Sequence, residues 1–432
     1  MNLVLSENKW LRIGSMTVFY IAQGLPIGLF LYAINAWLAE SGQPAGAVAA
    51  IIATVYMPWS FKFIAAALMD RYTYLPMGRR RIWLIGSQAL MLGGLSLAAF
   101  MAPGPQDLAL IGWLGFAIFV GSAVQDVSVD GLAVDILPDN EQGPVSAFTF
   151  GGQAIGIAAG TMIGGYLLDH YGSAVAFMAF TPLNVFFLLF AVILRERPGE
   201  KLLPWTKGRA SSALIARART DWIQILKVTL QSLFKRDSVV MLIAQCFARA
   251  AGGAFTAFWP IYATTTGGWS TAGFSSMVGT VGLITSVACM AIGSFLVSAL
   301  GARLSTIVTY ASYGVLALIY IFAPQLALIT WIFVALTTVW NATDTLTSVC
   351  SNPLRMRLSD KRVAATQFTI YNSLGNLVVP LGASAYAAAA GYSSVTSMIL
   401  IIGLTALGCL GYAMMRSGGR GEHLDEVEPR ID

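Results

Sequence analysis

Residues 108–138 read LALIGWLGFAIFVGSAVQDVSVDGLAVDILP, and this stretch decides the fold. No side chain from Leu108 to Gln125 carries a charge; three carboxylates then follow at Asp126, Asp130 and Asp135. An apolar run of about 20 residues crosses the hydrocarbon core as a helix. A charge inside such a segment costs roughly 3 kcal/mol on insertion scales, so it faces a partner or a wet cavity. The stretch predicts a membrane-spanning helix with one polar face. Asp126 and Asp130, four residues apart, share that face.

Outward from this stretch the pattern repeats. The chain has 432 residues, 56% apolar and only 11% charged, against about a quarter charged in soluble domains. Apolar stretches of spanning length fall near 14–38, 45–68, 82–101, 108–134, 144–168 and 174–194. After a polar interval they resume near 239–263, 272–299, 304–322, 326–350, 364–388 and 393–415. The first is too long for the roughly 7–15-residue core of a signal peptide and is expected to be a retained span.

Lysine and arginine placement orients these spans. Of the 26 cations, 24 lie at the N-terminus, in alternate loops, in the central interval or in the tail. Arg71, Arg79, Arg80 and Arg81 hold the 2–3 loop; Arg355, Arg357, Lys361 and Arg362 hold the 10–11 loop. The six opposite loops hold none. The partition predicts twelve spans with both termini cytoplasmic, and makes the net charge of +5 a topology signal rather than a nucleic-acid footprint.

The expected fold is therefore an all-α integral membrane protein of twelve transmembrane helices in two pseudo-symmetric six-helix bundles. Residues 1–194 form the first bundle and 239–415 the second. Residues 195–238 are a cytoplasmic linker in which Trp222, Ile225, Leu226, Leu230 and Leu233 predict an amphipathic surface helix; 416–432 form a cytoplasmic tail. A shift of 226 residues aligns span 1 with span 7, setting Gln23 opposite Arg249 and Gly24–Gly28 opposite Gly252–Gly253. A shift of about 218 sets Asp126 opposite Asp344. Such correspondence marks internal duplication.

Lys62 and Arg249 are the two cations inside spans. With Gln23, Gln125, Asp126, Asp130 and Asp344 they form the candidate substrate and proton pathway. Arginine stays charged and suits an anionic group. Asp70, Arg71, Arg79, Arg80, Arg81 and Asp135, near the cytoplasmic ends, are the candidate gate. Pro26 removes an amide donor from span 1 and kinks it. Gly152, Gly156, Gly160 and Gly164 form a small-residue ridge for close helix contact, read equally as static packing or as a sliding seam. The four cysteines sit in apolar stretches without metal spacing, and His170 and His423 lie at a span end and in the tail. No metal, cofactor, phosphate loop or enzymatic constellation is expected; energy must come from a gradient.

Met69-Asp70-Arg71-Tyr72 with Gly78-Arg79-Arg80-Arg81 resembles the 2–3 loop signature of the major facilitator superfamily, with Ala66 where glycine is usual. Gln23-Gly-Leu-Pro26, Phe61-Lys62-Phe63, Asp70-Arg71-Tyr72-Thr73, Arg79–Arg81 with Trp83, and Gln125-Asp126-x3-Asp130-x4-Asp135-x-Leu137-Pro138 resemble its AmpG-type permeases. The resemblance covers the first half; the second matches in general character. It implies a monomeric proton symporter importing anhydromuropeptides, a glycopeptide cargo, across the bacterial inner membrane. Gly131–Val134 replaces a basic residue that muropeptide carriers tend to have, and Gln153-Ala154 stands where they tend to have arginine. Shorter relatives that resemble this chain include siderophore importers and acetyl-CoA carriers. A sensor that has lost transport is the alternative from another class.

Overall fold

The computed structural model of the chain describes residues 3–210, 230–231, 233–358 and 364–416. Trp222, Ile225 and Leu226 of the expected surface helix, Lys361, Arg362 and the tail beyond Arg416 lie outside the described residues, as do the side chains of Asp70 and Arg71.

Thirteen α-helices are described. The first half holds α1 (Lys9–Gly28), α2 (Ile34–Glu40), α3 (Ala45–Ser60), α4 (Lys62–Arg71), α5 (Arg81–Met101), α6 (Leu108–Ile136) and α7 (Asp139–Ile193). The second holds α8 (Arg236–Thr265), α9 (Thr271–Leu300), α10 (Ala302–Phe322), α11 (Thr330–Leu358), α12 (Ala364–Ala390) and α13 (Ser394–Ala413). A five-residue π-helical turn, Leu29–Ala33, joins α1 to α2. Proline at 26 supplies no amide to the ladder, and the wider turn that follows absorbs the mismatch. Caps come where the chain offers them: Asn8 accepts the Leu11 amide, Ser270 that of Gly273 and Ser393 that of Thr396.

Ten of these helices, some continuous across a break, are long and apolar enough to cross a membrane. Two features separate that number from the expected twelve. α7 runs 55 residues but is interrupted at Gly172, whose φ of 78° belongs to neither flanking helix; the break falls between the stretches 144–168 and 174–194. α11 carries Thr337, Thr338, Asn341, Thr343, Asp344, Thr345, Thr347 and Ser348 and is too polar to qualify. Its hydroxyls bond carbonyls of its own helix: Thr337 to Phe333, Thr345 to Asn341 and Ser351 to Thr347. Polar side chains are thereby satisfied without water.

The glycine ridge of α7 seats α1. A methyl group added at Gly156 or Gly160 would collide with the Ile21 or Leu25 carbonyl, and Gly24 and Gly28 of α1 abut the α7 backbone in return. The second half repeats this joint between α8 and α12: Gly382 meets the Ala250 carbonyl and Gly253 that of Val379. The matching contacts relate α7 to α12 by 226 positions and α1 to α8 by 229, one turn off the shift of 226 read from the sequence, so that Arg249 falls opposite Tyr20 rather than Gln23. The ridge is thus packing within one half.

The halves meet along α7–α9, α3–α12 and α2–α8. At the α7–α9 seam Gly165 lies against Ser275, and Gly279 against Met162 and Ala158. At the end that carries Glu40, its carboxylate accepts the Thr271 amide at 2.7 Å and the Thr271 hydroxyl. This caps α9 from the other half. The same surface holds Tyr32 edge-on to Trp340, centroids 6.0 Å apart.

Candidate functional site

The intramembrane charges gather along the inner faces of the halves. Lys62 follows the break between α3 and α4, where Pro58 precedes a non-helical Phe61. The break aims the ammonium at α6, and Lys62 Nζ lies 2.7 Å from Asp126 Oδ2, both side chains buried. Gln23, one turn before Pro26, donates to the other oxygen, Oδ1, at 2.8 Å. One carboxylate is thus held by a cation from α4 and an amide from α1. Beside them Gln88 donates to Gln125 at 2.7 Å, and Gln125 donates to the Phe19 carbonyl. Lys62 also lies 5.4 Å from the centroid of the Trp59 ring. It turns inward to its pair rather than snorkelling outward.

Asp130, one turn along α6, is exposed and accepts the Tyr20 hydroxyl at 2.6 Å. In the second half Arg249 donates to Asn376 Oδ1 at 3.2 Å and lies within electrostatic reach of Asp344 and of the Tyr56, Tyr310 and Tyr313 hydroxyls. Asp344 is exposed although it sits midway along α11, and it accepts from Tyr313 at 3.2 Å. Tyr32 and Tyr56 come from the first half, yet Tyr32 feels Asp344 and Tyr56 feels both Arg249 and Lys62. Water-accessible charges in the middle of apolar helices, with partners contributed by both halves, define a polar cleft between them. Behind these groups the core is aromatic: Phe255 stacks on Tyr313 at 5.5 Å and Trp259 on Trp340 at 5.3 Å, all four side chains buried.

The expected gate residues form a separate network at the end of the molecule nearest the termini. Arg79 and Arg80 reach Asp135 at 3.3 and 3.4 Å. Arg81 instead donates to the carbonyls of Val192, Lys201 and Leu202. Glu196 accepts the amides of Arg79, Arg80 and Arg81 at 2.7–2.9 Å, an acidic cap on α5. These bonds bind α5, α6 and the segment after α7 within the first half. Burial pushes the Glu196 carboxyl above its ordinary range, against the pull of those amides. Glu200, which accepts the Glu196 and Arg197 amides, is pushed from an ordinary 4.5 to about 7 by burial and by Glu196 beside it.

Tyr20, Tyr56, Tyr313, Asn376, Glu196 and Glu40 went unsingled in the sequence. Tyrosines and asparagines in mid-span were the available signal for the first four. Among the described residues no cluster of histidine, cysteine or carboxylate side chains has the arrangement of a metal site.

A polytopic helical bundle of two related halves with ionisable groups in a wet central cleft defines a membrane transporter. The chain belongs to the Major Facilitator Superfamily, which it matches over residues 16–383. Within it the chain is similar to AmpG-type permeases. It is 31% identical over 160 residues to the anhydromuropeptide permease of Escherichia coli (strain K12), covering 37% of this chain and 32% of that one. It is 27% identical over 245 residues to putative transporter AmpG 4 of Rickettsia felis, covering 55% and 56%. The chain thus spans about a third of the first relative and about half of the second. Among solved structures, the nucleoside transporter NupG superposes with a TM-score of 0.69 at 10% identity over 94% of this chain and 98% of that one. A POT family transporter in complex with 5-aminolevulinic acid gives 0.63 at 12% over 93% and 94%. At such identities these two speak for the fold alone.

Proposed function

We propose that the protein is a proton-coupled symporter of twelve spans, with α7 crossing twice and α11 as its polar tenth crossing. It imports anhydromuropeptides, or a similar large anionic conjugate, across the inner membrane, with both termini cytoplasmic. The observation that carries the reading is Asp126, buried and shared between Lys62 and Gln23. A carboxylate that exchanges a cation partner for a proton can tie proton movement to a change of helix contact. Arg249, partly accessible, supplies a permanent cation for an anionic group. The Glu40–Thr271 contact closes the end opposite the termini, which corresponds to a cleft open to the cytoplasm.

Reconstituted vesicles test this. With an anhydromuropeptide outside, wild-type protein alkalinises the outer medium as substrate enters. Asp126→Asn abolishes uphill uptake and spares counterflow; unchanged uphill uptake removes Asp126 from coupling. Uptake of a siderophore in place of the muropeptide reassigns the cargo, and binding without any flux reassigns the protein as a sensor.

A further inference from the structure

Outside the cleft, a cavity of about 550 Å³ opens on the first half where the segment after α4 passes over α5. Its walls include Tyr72, Tyr74, Trp83, Gly86, Leu90 and Val124. We propose that this groove binds an anionic phospholipid, one acyl chain lying along α5 and the headgroup at Lys201.

The groove has the shape of an acyl chain's path. Its floor follows one face of α5 from Ile82 to Leu90, a rise of roughly 12 Å at about 1.5 Å per residue. One leaflet offers about 15 Å, half of a core of about 30 Å. Gly86 keeps the floor open, since no heavy atom lies within 4 Å of where its Cβ would stand. Trp83 is fixed by its indole N–H, which donates to the Tyr72 carbonyl at 2.8 Å.

The mouth has the chemistry of an anionic headgroup site. The segment after α7 is pinned across it by the Lys201 amide, which donates to the Pro76 carbonyl at 2.8 Å. Lys201 Nζ stands 3.5 Å from the Tyr74 hydroxyl, on the groove wall, and 3.0 Å from the Pro204 carbonyl. Trp205, 80% exposed, and the exposed Lys207 and Arg209 follow in the same segment. Exposed tryptophan and tyrosine beside cations mark the membrane–water interface, and cations there attract anionic lipid. The carboxylates of this segment, Glu196 and Glu200, are buried on backbone amides, so that the charges it exposes are those of Lys207 and Arg209.

The lipid would also abut the polar network of the cleft. Ser87 and Val124 line the groove, and the next residue of each, Gln88 and Gln125, form the amide pair beside Asp126.

Native mass spectrometry of the full chain in detergent, with phosphatidylglycerol or phosphatidylcholine added, tests the site. Wild-type protein retains one phosphatidylglycerol in preference to phosphatidylcholine. Lys201→Gln lowers phosphatidylglycerol retention on the order of fivefold, the effect of one interfacial cation, and leaves phosphatidylcholine unchanged. Gly86→Leu fills the floor and abolishes retention. Where its melting temperature in lipid-free detergent falls below wild type, Leu90→Trp at the exposed lower end makes the same obstruction. Equal retention of the two lipids by wild type, or full retention by both filled variants, overturns the proposal.

Discussion

Replacing Lys62 by methionine tests the geometry at the centre of the cleft. The ammonium and the Asp126 carboxylate are 2.7 Å apart, and their side chains keep only 10% and 6% of their exposure. Methionine preserves the length and apolar stem of the lysine but removes the charge. Asp126 is then left with the Gln23 amide on Oδ1 and no cation on Oδ2. Breaking a buried pair by deleting one member costs about 3–5 kcal/mol, because the remaining charge stays buried without compensation. Exposed pairs are worth about 0–1 kcal/mol, so the expected loss lies well outside the surface range.

The assay is a double-mutant cycle read by thermal unfolding of purified protein in detergent, scanned at one rate. Lys62→Met is expected to lower the melting temperature sharply. Asp126→Leu alone leaves a buried ammonium and does the same. The double variant removes both charges and is expected to recover most of the loss, since apolar replacement of a whole buried pair is often neutral or stabilising. Single variants that melt like wild type, or a double variant that melts at the sum of the two losses, would refute the pairing. Lys62→Arg is the finer control: it keeps the charge, and at a single-point contact its planar fork cannot reproduce the ammonium geometry.

Three further outcomes are expected. The Glu200 carboxyl holds its proton up to about pH 7 in the folded chain and only to about 4.5 when unfolded, so the folded state binds more protons between these values. Its contribution to stability therefore falls as pH rises through that window; melting temperatures from pH 4.5 to 7.5 check this, and Glu200→Gln should flatten the slope even with Glu196, Arg197 and Arg81 still in place. Gly156→Ala and Gly382→Ala press a methyl group into facing carbonyls and are each expected to cost roughly 1–3 kcal/mol, whereas Gly93→Ala, inside α5, meets no atom within 4 Å and should not lower stability, since alanine is the better helix former. Glu40→Ala removes a charge-assisted bond to Thr271 worth about 1.5–3 kcal/mol; labelling of a cysteine placed at Asn376 by an impermeant thiol reagent from the Glu40 side should rise at least about tenfold, and an unchanged rate would show that this contact does not hold that end shut.

What could be read from the sequence follows from how rare each residue type is in its solvent. In oil a charge is an exception, so Lys62, Asp126, Arg249 and Asp344 stood out unaided, and the structure brings them to inner faces. Tyr20, Tyr56 and Tyr313 did not stand out, because an aromatic ring suits lipid and core alike and only its hydroxyl shows which it serves. Glu40 and Glu196 were hidden for the opposite reason: at helix ends and in loops a carboxylate is ordinary, and its role as a helix cap depends on a neighbour distant in sequence, Thr271 in one case and Arg79–Arg81 in the other. The helices themselves were plain from apolarity, least so at α11, which the stretch 326–350 marks. There the polar face that makes the segment useful also lowers its apolarity below that of a spanning helix.

The duplicated architecture keeps its packing and alters its charges. The glycine joint between α1 and α7 recurs between α8 and α12, where Gly253 and Gly382 meet facing carbonyls as Gly24 and Gly156 do. At the equivalent polar positions the halves diverge. In the first, Gln23 is neutral and Asp126 takes its cation from Lys62 at contact distance. In the second, Arg249 donates to Asn376 and leaves Asp344 exposed with a tyrosine as its hydrogen-bond donor. A closed pair on one wall and two separated, wetted charges on the other are unequal in what they offer. On the proposed mechanism, the separated charges of the second half meet the polar ends of the cargo, and the closed pair of the first half opens when a proton replaces the lysine. On that mechanism a symmetric cleft with two closed pairs would leave no free charge for the cargo, and the asymmetry is what would let one site serve both proton and cargo.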